Sequence, residues 1–321
     1  MRTPVHARRR EGGRPHSHPA SAVADPDKGR YVLNGWPAVA PPLACGLHVV
    51  ATPIGNLRDI TLRALELLAA ADVIACEDTR ITRRLLDHYG ISTTLIAYHD
   101  HNAAAVRPQL LRRLAEGAAI ALVSDAGTPL VSDPGFKLVR AAHEAEIAVS
   151  TAPGPSAVLA ALTVSGLPTD RFFFEGFLPS RSAQRSARIA ALKTVPATLV
   201  LFETGRRVAA ALNDLAAGMG DREAVICREL TKLHEELRRG DLPALASQYG
   251  GEAEIRGEFV IVIAPPPDEP GMRPVDLDAL LREALNRLSV KEAVAEVAAV
   301  TGGARREVYQ RALALAKEKP R

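Results

Sequence analysis

Residues 118–123 (AAIALV) form a continuous apolar run that ends in SDAGTPLVSDPG, residues 124–135, and passes at Phe136 into a helical pattern. No other feature constrains the fold as much. A continuous apolar strand is buried on both faces. A strand that turns directly into a helix is a βα unit of a parallel sheet. The turn then lies at the strand's carboxyl end, where open α/β sheets bind ligands. Gly127 and Gly135 let backbone approach a ligand closely, and Pro129 and Pro134 fix φ and stiffen the loop. An ordinary βα turn has a similar composition, so the neighbouring strand ends must decide whether this is a ligand loop.

The same alternation of short apolar runs and amphipathic segments recurs along the chain. Residues 47–51, 72–76, 94–98 and 147–151 are expected strands, with helical spacing between them. Residues 165–171 (SGLPTDR) make a hinge. A second α/β set follows, with strands at 172–177, 198–203, 223–229 and 258–264 and helices at 182–193 and 206–217. PPPDEPG, 265–271, is a linker, and helices are expected at 277–288, around 290–298, and at 305–317. The expected organisation is a disordered tail over 1–43, an α/β domain over 44–168, a second α/β domain over 169–266 and a helical module over 272–321.

Of the 321 residues, 47% are hydrophobic and 24% charged, the balance of a globular chain. No apolar run approaches the roughly 18 residues of a membrane span, and the N-terminus has no apolar segment of the secretory kind. An organellar presequence fits poorly, because Glu11, Asp25 and Asp27 interrupt the arginine-rich start. Three scattered cysteines, Cys45, Cys76 and Cys227, form neither a disulfide framework nor a metal motif. The net charge of +3 divides into +4 over 1–46, −4 over 47–271 and +3 over 272–321. Bulk charge therefore gives no argument for nucleic acid, and only local basic clusters can.

Several strand ends carry such clusters. Residues 52–57 (TPIGNL) follow the first strand but lack the dinucleotide fingerprint. Residues 75–86 (ACEDTRITRRLL) place Arg80 and Arg84 on one helix face. In 152–162 (APGPSAVLAAL), Ser156 either caps the next helix or helps its free N–H groups bind an anion. Residues 179–193 carry Arg181, Arg185, Arg188 and Lys193 without an acid, which suits either phosphate contact or a solvated surface. Residues 202–208 and 227–237 bring Glu203, Arg206, Arg207, Arg228, Glu229, Lys232 and His234 to one sheet edge. His234 has no second histidine at helical spacing, so no metal is expected. Residues 289–313 have the form of a helix-turn-helix, with Arg305, Arg306 and Arg311 on its second helix.

Taken in order, VATPIGNLRDITLRAL, ACEDTR, SDAGTPLVSDPG, APGPSAVLAAL, FETGRR and RELTKLHEE resemble the bacterial 16S rRNA (cytidine-2′-O)-methyltransferases, which are class III S-adenosylmethionine enzymes of the tetrapyrrole methylase superfamily. The resemblance covers about 47–264, and the tail resembles the family's C-terminal helical module. It implies two α/β domains with S-adenosylmethionine in the cleft between them, a cytoplasmic homodimer, and 16S rRNA of the small ribosomal subunit as partner. The implied substrate is a cytidine ribose at the decoding centre. Pro53, Asp125, Ala126, Gly127, Thr128, Pro129, Ser156, Phe202 and Thr231 would contact the cofactor. Arg80, Arg84, Arg181, Arg185, Arg206, Arg207 and Arg228 would hold RNA. A ribose hydroxyl is a poor nucleophile, so a general base is expected, with Asp125, Glu203, Glu229 and Lys232 as candidates. Two rival readings are a C-methyltransferase of tetrapyrrole precursors and a catalytically inactive rRNA-binding assembly factor.

Overall fold

A computed structural model describes residues 27–251, 255–267, 277–301 and 305–318. It opens on a hairpin, β1 (Arg30–Leu33) and β2 (Trp36–Val39). The turn residues Asn34 and Gly35 have φ of 52° and 82°, the geometry that Asn-Gly favours in two-residue hairpins. Over the described part of the expected tail, residues 27–43, this corrects the disorder expected there. Tyr31 is buried, Leu33, Ala38 and Leu43 pack on the first core, and the Val32 N–H donates to the Tyr89 carbonyl at 2.7 Å. Two four-residue strands are too short to show periodicity inside a proline- and arginine-rich composition. Residues 1–26 of the expected tail lie outside the described residues.

The first sheet contains β3 (Gly46–Val50), β4 (Val73–Cys76), β5 (Leu95–Ala97), β6 (Ala119–Val123) and β7 (Val149–Ala152). Their order is β5-β4-β6-β3-β7 and every pairing is parallel. The connecting helices are α1 (Leu62–Ala70), α2 (Thr79–His88), α3 (Ala103–Ala115) and α4 (Phe136–Glu144), with α5 (Ala157–Ser165) after the last strand. Thr61 and Asp78 cap α1 and α2 by accepting the Ala64 and Arg80 N–H groups, satisfying donors that a helix start leaves free. One core lies under α1 and α2 and another under α3 and α4, which is why β4 and β6 are apolar without alternation.

The second sheet contains β8 (Phe172–Phe177), β9 (Thr198–Thr204), β10 (Glu223–Arg228), β11 (Glu236–Asp241) and β12 (Glu258–Ile263), in the order β11-β10-β12-β9-β8. Only β8 and β9 run parallel. Helices α6 (Ser182–Leu192), α7 (Gly205–Met219) and α8 (Leu242–Gly250) cover one face. The other face packs against α5, through Val158, Ala161 and Leu162. Sequence reading missed β11 and α8: the strand reads ELRRGD and alternates half-buried with exposed residues, as an edge strand does. The C-terminal helices α9 (Leu277–Leu285), α10 (Val290–Thr301) and α11 (Arg305–Glu318) close a core of their own around Leu281, Val297 and Leu315.

Candidate functional site

Three loops at the carboxyl edge of the first sheet are stitched together. Thr52 and Gly127 exchange backbone hydrogen bonds of 2.9 and 3.0 Å, linking the loops after β3 and β6. The Thr128 hydroxyl donates to the Pro155 carbonyl at 3.0 Å, joining the loop after β7. Gly127 has φ of 79°, and a Cβ there would lie 3.3 Å from the Ile54 side chain. Leu130 and Ser132 also have positive φ, and so do Glu229 and Thr231 across the cleft. Non-glycine residues held in this region store strain, which gathers at functional sites.

Between these loops and the second sheet lies a cavity of about 250 Å³. Ile54 and residues 126–128, 131–133 and 156–158 form one wall; Phe177, residues 202–204, Cys227, Leu230 and residues 258–260 form the other. A groove adjoins it, sharing Ile54, Ala126 and Glu258 and reaching Pro53, Arg84, His88, Asp125 and Lys232. The two walls meet where the Asn56 N–H donates to the Thr231 hydroxyl at 3.2 Å. Gly55 sits so close to this contact that a Cβ would come within 2.5 Å of Lys232 Cγ.

The cavity wall carries three carboxylates, Asp133, Glu203 and Glu258, and no lysine, arginine or histidine. Burial pushes the Asp133 carboxyl up to about 6; the Ser124 hydroxyl opposes this and the charges of Glu77 and Asp125 add to it. Glu203 is pushed up by burial too, against the Thr204 N–H and the charges of Arg207 and Arg185. Its Oε1 accepts from the Thr204 N–H at 2.9 Å. Its Oε2 lies 3.2 Å from Arg207 Nη2 but out of line for a hydrogen bond. Lys232 bridges Glu229 Oε1 at 3.0 Å and Glu258 Oε2 at 2.7 Å. Desolvation works against its charge, yet the two carboxylates more than offset that and raise its pKa. Glu229 moves the other way: burial is outweighed by the Glu258 N–H and by Lys232.

Of the cofactor residues advanced from the sequence, Ala126, Gly127, Thr128, Ser156 and Phe202 line the cavity. Pro53 and Asp125 line the groove instead; the Asp125 carboxylate accepts the Asp78 N–H at 2.9 Å. Pro129 is buried behind the loop, and Thr231 is occupied with Asn56.

Among the arginines, Arg84 faces the groove, Arg181 and Arg206 are exposed, and Arg80 is exposed while clasping Asp78. Arg207 donates to the Leu178 carbonyl at 2.6 Å, and Arg228 to the Arg256 carbonyl at 3.0 Å. Arg185 does not fit the expected RNA contact. It is buried, pairs with Asp214 at 2.6 Å and donates to the Ser180 carbonyl at 3.1 Å. The acid-free run in the sequence finds its acids in space, since Arg188 likewise grips Glu175.

Sequence reasoning missed Asp133, Phe177 and Glu258 as cavity residues. Asp133 lies in the loop after β6; Phe177 and Glu258 carry no local signal, because long-range strand pairing sets their positions. Among the described residues no group of three or more His, Cys, Asp or Glu side chains is arranged to hold a metal.

A cleft between a parallel sheet and a mixed sheet, closed by a glycine-proline loop, is the architecture of the tetrapyrrole methylases. The family model of Tetrapyrrole (Corrin/Porphyrin) Methylases matches residues 46–246, and the chain belongs to that family. Solved structures of a cobalt precorrin-4 methyltransferase and a diphthine synthase share the fold. Their TM-scores are 0.53 and 0.54 at 17% and 19% identity; each covers 68% of this chain, and 94% and 89% of the respective structures are matched. Within the family the chain's relatives are proteins named ribosomal RNA small subunit methyltransferase I. The one from Mesorhizobium japonicum is 51% identical over 86% of this chain and 94% of its own length. The one from Escherichia coli O157:H7 is 44% identical over 83% and 94%. Residues 272–316 match a model described as the RsmI C-terminal HTH domain.

Proposed function

We propose that this chain transfers the methyl group of S-adenosylmethionine to the 2′-hydroxyl of a cytidine ribose in 16S rRNA of the small ribosomal subunit. The observation that carries this reading is the 51% identity to a ribosomal RNA small subunit methyltransferase I over nearly that relative's whole length. The cavity supports the choice of donor. Its walls are largely apolar and its only charged groups are acids. These features suit a ligand bearing a sulfonium and an ammonium. S-adenosylmethionine bound there supplies a methyl group already attached to a good leaving group.

The residues of the chain have three tasks. The stitched loops fix the geometry of an in-line transfer, where most of the rate gain of such a reaction arises. RNA phosphates stay outside the acidic cavity, at Arg84 and Lys232 in the groove and at the exposed Arg80, Arg181 and Arg206. The proton of the ribose hydroxyl goes to a carboxylate. Lys232 is held protonated by its two partners, Glu229 is made more acidic by that contact, Asp125 faces the groove, and Glu203 is almost wholly buried. Asp133 is partly exposed on the cavity wall and ionises at about 6, which matches a base working near neutral pH. We assign the proton to it. By resemblance the enzyme works in the cytoplasm as a homodimer, which sedimentation of the purified chain would test.

The decisive experiment incubates the chain and S-adenosylmethionine with small subunits from cells that lack the gene, then maps methylated nucleotides by mass spectrometry. The expected product is a single ribose-methylated cytidine. Methylation of a base, or donor binding without transfer, would refute the proposal.

A further inference from the structure

The second sheet has an irregularity at the cavity rim. β8 pairs with β9 in parallel register from Phe172 to Phe174, then resumes one residue out of step at Gly176 and Phe177, leaving Glu175 without a partner. Side chains of a regular strand alternate between faces, so Phe174 and Phe177, three apart, would point to opposite sides. The extra residue cancels that alternation. Both rings now meet Phe202 edge-on, with centroids 4.9 and 5.8 Å away. Phe174 packs into the core under the sheet, whereas Phe177 lines the cavity and remains 49% exposed.

The bulge is held from both sides. Gly176 has φ of 76°, and a Cβ there would lie 2.9 Å from the Ser132 hydroxyl on the opposite wall. Glu175 accepts two 2.6 Å hydrogen bonds from Arg188 of α6. Bulges beside active sites commonly re-aim a side chain, and here the result is a phenyl ring, backed by two others, at the mouth of the cavity. Leaving such a ring half in water is unfavourable in the free protein, so a ligand that covers it gains by doing so.

Phe177 is half exposed, whereas Val158, Leu230 and Val260 of the same cavity are buried, so a donor seated among these three would leave the ring at its entrance. Sequence-specific recognition of RNA targets unstacked nucleotides, whose bases are held on aromatic faces. We infer that Phe177 is the platform on which the nucleobase of the target nucleotide stacks while its ribose enters the cavity. The inference rests on the RNA reading above and assigns to that site the residue that receives the base.

The test compares Phe177→Ala, Phe177→Leu and Phe177→Trp in steady-state methylation of small subunits, with S-adenosylmethionine affinity measured separately by calorimetry. The alanine variant should lose about 10- to 100-fold in kcat/KM for subunits, the range of one lost base stack. Leucine, apolar but without a ring, should lose most of that, and tryptophan should keep activity. Donor affinity should stay within about twofold throughout. A donor affinity that falls in step with activity would place the ring in the donor site and overturn the inference. So would a leucine variant as active as the unsubstituted chain, or no change in any variant. Failure of the RNA reading shows separately, as absence of transfer by the unsubstituted chain, and the inference falls with it.

Discussion

Asp133 shows how placement changes the chemistry of an ordinary side chain. Its carboxyl is lifted to about 6 by burial beside Glu77 and Asp125, and the deprotonated form is the one that accepts a proton. The kcat/KM of methyl transfer should therefore rise with pH through about 6 and level off above it. Asp133→Asn should abolish that limb and lower the plateau by about 10²–10⁴-fold; a pH–rate profile checks both. Stability runs in the opposite sense. The folded state holds this proton more tightly than the unfolded chain, so folding weakens as pH rises from about 4 to about 6. The asparagine variant should accordingly melt at a higher temperature than the unsubstituted chain at pH 7.5, and show little difference at pH 4. Arg185 illustrates the converse. Arg185→Ala strands Asp214 and should cost about 3 kcal/mol of stability in a denaturant titration, while the affinity for RNA of the folded variant stays unchanged.

Secondary-structure elements differ in how openly the chain declares them. The apolar run of β6 and the loop after it predicted a buried strand with a ligand loop, because burial on two faces and a tight turn each demand residues of one kind. The hairpin β1–β2 was legible in principle, since Asn34-Gly35 flanked by apolar residues is a strong local turn signal. It went unread because its strands are four residues long. Its packing is substantial: Tyr31→Ala should destabilise the fold by about 3 kcal/mol, the typical cost of removing a buried aromatic ring, as thermal unfolding would show. β11 and the bulge in β8 were not legible. The charged sequence of the first makes sense only at a sheet edge, and the second depends on the register of a strand more than twenty residues away. The candidate arginines divide on the same principle. Charge is visible in the sequence, but whether Asp214 or solvent faces Arg185 is decided by how α6 lies on α7.

The molecule as a whole separates charge by compartment. The charged groups lining the cavity proposed for the donor are all acids, while the cations reach outward from the groove and the neighbouring helices. Raising salt from 50 to 200 mM should therefore weaken small-subunit binding at least tenfold through counterion release and leave donor affinity nearly unchanged; filter binding and calorimetry at the two salt concentrations test this. The helices after residue 276 complete their own core, so a chain ending at residue 267 should keep its donor affinity and its melting temperature.

The helix α5 follows the first sheet in the chain yet is covered by the second, through Val158, Ala161 and Leu162. Helix α5 finds its cover only on the second sheet, and that sheet's inner face finds its cover on α5, so neither half is a separable folding unit. Cutting the chain at the hinge before Phe172 would strip that helix of its cover and expose the underside of its partner sheet together. The two lobes should melt in one cooperative step, and the gap between them, where we place the methyl transfer, is a seam inside a single body.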